Sequence, residues 1–238
     1  MVSTIAIGIK TADRSPRHNY LADTFGNLAR AGVLLSPHLH SITIYDSGAE
    51  DWTRHAPYIA HVDRPMPGCR RTLHENASAA IRETAAKGAD WTLVLEDDLD
   101  FCARFLESTL AWAERVVKEH RPYLMYVLGA NYSQIVDARR TKKLVWNYPV
   151  GSFYGAQALL WRTETARELG EWLGPSPNYN GVENHGHDLL LGRWGREREE
   201  THFAASVPSF VQHIGKESGI GNKTFGFTSW PGRTWSFA

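Results

Sequence analysis

The stretch Trp91-Thr-Leu-Val-Leu95-Glu96-Asp97-Asp98-Leu-Asp100 decides the fold. Five apolar or β-branched residues run without alternation and stop at three consecutive carboxylates. An unbroken run of this kind marks a strand covered on both faces, as in a parallel sheet layered by helices. In such sheets ligands sit beyond the carboxyl ends of the strands, which is where Glu96, Asp97 and Asp98 fall. Two like charges about 4 Å apart repel by roughly 4 kcal/mol at an effective dielectric near 20. A strand end crowded with carboxylates therefore calls for a cation, and hard oxygen donors suit Mg²⁺ or Mn²⁺. The competing reading is a solvated acidic turn in which Asp98 or Asp100 only caps the next helix.

Working outward, the same alternation of strand and helix continues on both sides. Upstream, Thr72-Leu-His-Glu75 has the pattern of a capping box, opening a helix that runs through Ala77, Ala80, Ile81 and Ala85 to a stop at Gly88. Ser3–Ile9, Ser41–Tyr45 and Tyr58–Val62 read as strands, with a helix from about Arg17 to Ala31. Downstream, Phe101–Val117 has helical spacing and Tyr123–Leu128 returns to strand. The pattern predicts an α/β fold with a mostly parallel central sheet flanked by helices.

The second half changes character. Leu144–Trp146 and Phe153–Trp161 read as strands around Pro149-Val-Gly151, and Thr163–Trp172 as a helix. Residues 174–181 are a Gly/Pro/Asn-rich loop, His187–Trp194 a short helix, and Phe203–Ile214 one or two strands of a smaller antiparallel section. Glycines at 215, 219, 221, 226 and 232 make residues 215–238 a loop that rests on the sheet. One domain is expected, with a first half (1–130), a second half (131–214) and a tail (215–238).

With 238 residues, 26 Lys+Arg and 26 Asp+Glu, the chain has no net charge, hence no long-range field to gather a nucleic acid. Cys69 and Cys102 make no disulfide scaffold and suit a reducing compartment. The N-terminal apolar run lacks a basic flank and a cleavage site, so it reads as a strand. No run approaches the ~20 apolar residues of a membrane span, and a cytoplasmic location is expected. Nine tryptophans are mostly core, though aromatic faces also stack on sugars and bases.

Leu93-Val-Leu-Glu-Asp-Asp-Leu99 resembles the acidic motif of glycosyltransferases with the GT-A fold. Pro208-Ser-Phe-Val-Gln-His213-Ile-Gly215-Lys-Glu-Ser218 resembles the corresponding segment of the N-acetylglucosaminyltransferase IV family. The likeness follows the order of elements over most of the chain and is specific at these two segments. It implies a metal-dependent, inverting transfer of GlcNAc or another hexose from a UDP-sugar to an acceptor hydroxyl. Neither the membrane anchor nor the extra carbohydrate-binding domain of the animal enzymes is expected, so the donor class carries over better than the N-glycan acceptor.

By the resemblance, Asp98 and His213 ligate the divalent ion, and Glu96 and Asp97 face the donor or the ion's waters. Asp188, within Gly181-Val-Glu-Asn-His-Gly-His-Asp188, is the choice for the base that takes the acceptor's proton, with Glu183 second. Thr11 and Asp46 lie just past predicted strands of the first half, where the nucleoside binds in this fold. Arg70, Arg71 and Asn76 precede the acidic strand, and Lys216 follows His213 toward the diphosphate, with the tail as a closing lid. The His185/His187 pair with Asp188 has metal-like spacing but no further ligand near it in sequence. Two other readings stand beside this one: transfer to a modified DNA base or small metabolite, and a non-catalytic nucleotide- or sugar-binding module.

Overall fold

A computed structural model describes residues 2–11, 20–47, 61–63, 73–130, 133–174, 187–216 and 229–237, with the backbone alone at 61–63, 73 and 133. Thr72, and with it the capping box, lies outside these residues, as do Tyr58, Cys69 and most of the 174–181 loop. Among the described residues ten strands and six helices follow one another as β1 (Ile5–Thr11), α1 (Leu21–Arg30), β2 (Leu39–Asp46), β3 (His61–Asp63), α2 (Leu73–Ala85), β4 (Trp91–Glu96), β5 (Leu99–Phe101), α3 (Phe105–Glu119), β6 (Tyr126–Val127), α4 (Ser133–Arg140), β7 (Val145–Pro149), β8 (Ala158–Arg162), α5 (Thr163–Leu173), α6 (His187–Glu197), β9 (His202–Ser206) and β10 (Val211–His213).

Eight strands form one sheet in the order β3-β2-β1-β4-β8-β6-β9-β7, and β10 pairs with β5 in a second. β3, β2, β1 and β4 are mutually parallel. β8 runs against both β4 and β6, β9 runs with β6, and β7 runs against β9. The mixed sheet with a parallel first half matches the α/β expectation.

Pleating sends alternate residues of β4 to opposite layers. Trp91, Leu93 and Leu95 join Ile5, Ile7 and Ile9 of β1 and pack with Leu21, Phe25 and Leu28 of α1 and Phe105, Leu106, Trp112 and Val116 of α3. Val94 faces the other layer, with Ala80 and Ile81 of α2, Leu169 of α5 and Trp194 of α6. Gly8 of β1 admits this second layer: a Cβ there would meet Thr84 Oγ1 inside 3.0 Å, Tyr45 Cε2 at 3.0 Å and the Ala80 carbonyl oxygen at 3.3 Å. Four tryptophans, Trp91, Trp112, Trp161 and Trp194, are fully buried.

Two elements were not expected. β5 occupies residues assigned to a turn and a helix start, so α3 begins at Phe105 rather than Phe101. α4 arises from a polar stretch whose buried apolar residues are Ile135 and Ala138. The strand expected over Tyr123–Leu128 is confined to Tyr126–Val127. Within the tail, residues 229–237 form neither helix nor strand. They are nevertheless seated, with Trp235 and Phe237 at 5.3 and 6.1 Å from Phe210.

Candidate functional site

Three neighbouring parallel strands end together. In register, Lys10 of β1 lies opposite Glu96 of β4, and Thr11 lies opposite Asp46 of β2. The end of β1 is tied to that of β2 by Asn76 of α2, whose amide donates to the carbonyls of Thr11 (3.1 Å) and Tyr45 (2.7 Å). Its Oδ1 is buried and accepts no hydrogen bond among the described residues. The Thr11 hydroxyl donates to Asp97 Oδ2 at 2.6 Å, turning that carboxylate toward the β1–β2 side.

The turn after β4 is held by α1. Thr24 donates to the Asp97 carbonyl (2.7 Å) and accepts from the Leu99 amide (3.0 Å), while Asn27 donates to the Leu99 carbonyl (2.9 Å). β5 then pairs with β10 so that His213 lies opposite Leu99, and the Ile214 amide donates to the Asp98 carbonyl at 2.9 Å. This pairing sets His213 Nε2 3.0 Å from Asp98 Oδ2 across 115 residues of sequence. Ligand atoms of Glu96, Asp98 and His213 all lie within 4.8 Å of one another. Two carboxylates and an imidazole at this separation fit one divalent ion of the Mg²⁺/Mn²⁺ kind.

Gly215 closes the cluster from below. A Cβ there would fall inside 3.0 Å of Asp98 Oδ2, 3.1 Å from its Cγ and 3.2 Å from His213 Cε1. Any side chain at 215 therefore collides with the paired ligands. The fourth acid of the stretch, Asp100, has a different fate: it is ion-paired with Arg30 of α1 and with Arg233 of the tail (Nε–Oδ2 2.6 Å).

Burial pushes the Glu96 carboxyl up to about 7; Lys10 opposes this, Asp98 and Asp188 add to it, and His213 opposes it. Lys10 Nζ stands 3.7 Å from Glu96 Oε1 and 3.5 Å from the Ala156 carbonyl oxygen. On the other side of Ala156 lies Asp188, in the first turn of α6. The backbone amides of Gly155 (2.7 Å) and Ala156 (3.2 Å) donate to its two oxygens. Burial raises the Asp188 pKa, against the pull of those amides and Lys10. Next to it, burial with Lys10 and His74 nearby holds His187 well below the usual histidine range, and its Nδ1 has no hydrogen-bond partner among the described residues.

Thus Thr11, Asp46, Asn76, Glu96, Asp97, Asp98 and His213 gather around the ends of β1, β2 and β4, and Asp188 joins them from α6 through Lys10. Lys216 makes its described contact through its backbone, whose amide donates to Tyr20 Oη at 3.0 Å, and the residue is exposed. Arg70, Arg71, Glu183 and His185 lie outside the described residues, as does the stretch 217–228 on which the lid expectation rests. Sequence reading passed over Lys10, although a lysine closing the otherwise apolar Ile5-Ala-Ile-Gly-Ile9 run marks the strand's site end. It also passed over Thr24 and Asn27, which no local signal separates from surface residues.

No protein-family model and no curated protein matches this chain in sequence. Solved structures do match in shape. TarS from S. aureus superposes with a TM-score of 0.57 at 10% identity, over 87% of this chain and 36% of that one. A mycobacterial protein superposes at 0.51 and 16% identity, over 86% of this chain and 65% of that one. A glucosyl-3-phosphoglycerate synthase from Mycobacterium tuberculosis, in complex with Mn²⁺, UDP and glucosyl-3-phosphoglycerate, aligns at 0.49 and 16% identity over 82% of this chain and 66% of that one. That score is too low to add weight to the first two. The chain spans about a third of the length of TarS. The likeness establishes a GT-A-like fold. Among the described residues no helix is long and apolar enough to cross a membrane.

Proposed function

We propose that this chain transfers a sugar from a nucleotide-diphosphate donor, UDP-GlcNAc or another UDP-hexose, to an acceptor hydroxyl with inversion. The observation that carries this reading is the meeting of Glu96, Asp98 and His213 beyond the carboxyl end of β4. Asp98 and His213 would hold Mn²⁺ or Mg²⁺, and such an ion neutralises the charge that grows on a departing diphosphate. Glu96 completes the cluster, with Lys10 fixing its side chain.

Thr11, Asp46 and Asp97 form one wall at the ends of adjacent strands, suited to a nucleoside. Asp46 would accept from the uracil imide and Asp97 would face the ribose. Asn76 keeps the two strand ends in place beneath them. Arg70, Arg71 and Lys216 are the cations offered to the diphosphate. Asp188 is the base: two backbone amides fix its carboxylate, and burial lifts its pKa toward the range in which a carboxylate accepts a proton usefully. In this division residues 1–130 bind the donor, residues 131–214 receive the acceptor and residues 215–238 close the site, all in one domain.

Calorimetry of UDP-sugars with Mn²⁺ and with EDTA tests the ion's part. Donor binding is expected with Mn²⁺ and absent with EDTA, and equal affinity in both removes the ion from the scheme. Release of UDP over hours separates an enzyme from a binding module. Binding with no turnover against any acceptor or water would leave only the module.

A further inference from the structure

A second site stands away from the carboxylate cluster. Arg115 of α3, Arg139 near the end of α4, and Lys142 and Lys143 just beyond it line a cavity of about 220 Å³ together with Leu144, Val207, Pro208 and Phe237. Four cations and no carboxylate contribute to it, in a chain whose charges balance overall. Arg115 is engaged with Glu119 through Nε at 2.7 Å. Arg139 donates to the neutral Ser229 carbonyl at 3.2 Å. Among the described residues no carboxylate lies within ion-pair distance of Arg139, Lys142 or Lys143.

The helix end is built in a way that keeps a charge where glycine is usual. The Lys142 amide donates to the Arg139 carbonyl (3.0 Å) and the Lys143 amide to that of Ala138 (2.9 Å). This pair of bonds is the Schellman arrangement, whose left-handed residue is most often glycine. Here Lys142 holds that conformation, at φ 54°. Cations at a helix C-terminus also complement the helix dipole, but that accounts for neither a lysine at this φ nor Arg115 arriving from α3.

The location is informative. β9 runs parallel to β6, which opposes β8, which opposes β4, so Val207, just past β9, lies at the same end of the strands as Glu96. Three strand spacings of about 4.8 Å put the two places roughly 14 Å apart. At 220 Å³ the cavity is smaller than the roughly 300–1,000 Å³ of sites for drug-sized ligands, which suits a compact anion and not a whole nucleotide sugar. Phe237, Val207 and Pro208 give one apolar wall.

We infer that this cavity is a metal-independent binding site for a small multivalent oxyanion, a phosphate or diphosphate group carried on a compact body. Four guanidinium- or ammonium-bearing side chains, from α3, α4 and the turn after α4, line it, and such groups suit an oxyanion. The inference does not depend on the transferase reading, because no residue of the carboxylate cluster takes part.

The test is calorimetry of inorganic pyrophosphate with the whole chain in EDTA, repeated with Lys142→Gly/Lys143→Ala. Glycine relieves the left-handed position, so Lys142→Gly leaves the fold at least as stable, which thermal melting verifies. One-site binding is expected for the unaltered chain, weakened about tenfold for each cation removed. Absence of binding, or a double variant that binds like the parent, overturns the inference. Flotation with phosphatidylglycerol vesicles distinguishes a lipid headgroup as the source of the anion. Capture on vesicles by a chain that ignores soluble pyrophosphate also overturns it.

Discussion

Gly215→Ala is the sharpest perturbation of the carboxylate cluster, because it adds one methyl and removes no ligand. The added carbon would stand 3.1 Å from Asp98 Cγ and 3.2 Å from His213 Cε1, closer still to Asp98 Oδ2. Unstrained contacts begin near 3.5 Å, so the carboxylate must retreat by about 1 Å or the His213–Gly215 backbone must lift away. Ligand distances in a metal site tolerate only about ±0.2 Å. Displacement of this size is expected to weaken Mn²⁺ binding about 10- to 100-fold, as loss of a supporting contact does in other metal sites. The fold should lose about 1–3 kcal/mol, the usual cost of overpacking. Mn²⁺ affinity is read by calorimetry, with thermal melting as the fold control. Gly26→Ala is the companion variant: it lies inside α1, and its Cβ would meet nothing within 4 Å. That change should raise stability by roughly 0.5–1 kcal/mol and leave Mn²⁺ affinity untouched. Wild-type Mn²⁺ affinity in Gly215→Ala would show that Asp98 and His213 do not form a metal site that this glycine keeps open.

Asp188→Asn should bind UDP-sugar as the parent does while transfer falls about 10²- to 10⁴-fold; unchanged transfer removes Asp188 as the base. Glu96, pushed up to about 7 by burial, holds a proton below that pH and must lose it to face an ion. Mn²⁺ affinity should therefore fall as the pH drops below about 7 and level off above it, with Glu96→Gln weaker above pH 7 and converging on the parent below it; parent-like affinity of that variant above pH 7 sinks the assignment. Gly8→Ala, pressed by Thr84, Tyr45 and the Ala80 carbonyl, should cost about 1–3 kcal/mol in urea melts, and a neutral result would mean that α2 yields. Arg233→Ala removes one of the two guanidiniums on Asp100 and should lower stability by about 1 kcal/mol, seen as a lower urea midpoint.

The legible parts of this fold were those with a local cause. Trp91–Leu95 announces itself because both faces of β4 are covered, so nothing interrupts the apolar run. β5 has no such mark: Leu99-Asp-Phe101 is three residues long and becomes a strand only because Val211–His213, over a hundred positions later, pairs with it. α4 is hidden for the opposite reason, being mostly solvated with little apolar periodicity to read. At the site, Glu96, Asp98 and His213 were visible as residue types in motifs, and the long-range pairing of β5 with β10 is what joins them. The glycine of Gln212-His-Ile-Gly215 was visible too. Its reason, an Asp98 carboxylate where a side chain would go, exists only in three dimensions.

The four acids after Leu95 also decide between a solvated acidic turn and a built site. Asp97, Asp98 and Asp100 are 2, 3 and 1% exposed, and an acidic turn facing water would leave them open. Each buried carboxylate needs compensation, since burying an ionised group alone is strongly unfavourable. Asp100 receives it from Arg30 and Arg233, which also fasten α1 and the tail to β5. Asp97 receives a hydroxyl from Thr11. Asp98 is set against His213 and beside Glu96, which Lys10 approaches at 3.7 Å. A stretch that only capped a helix would have no reason to treat its acids so differently. Arginines where a carboxylate is structural, and an imidazole facing two carboxylates where a cation can enter, make sense together if Asp100 holds the scaffold and Asp98 is held for a ligand.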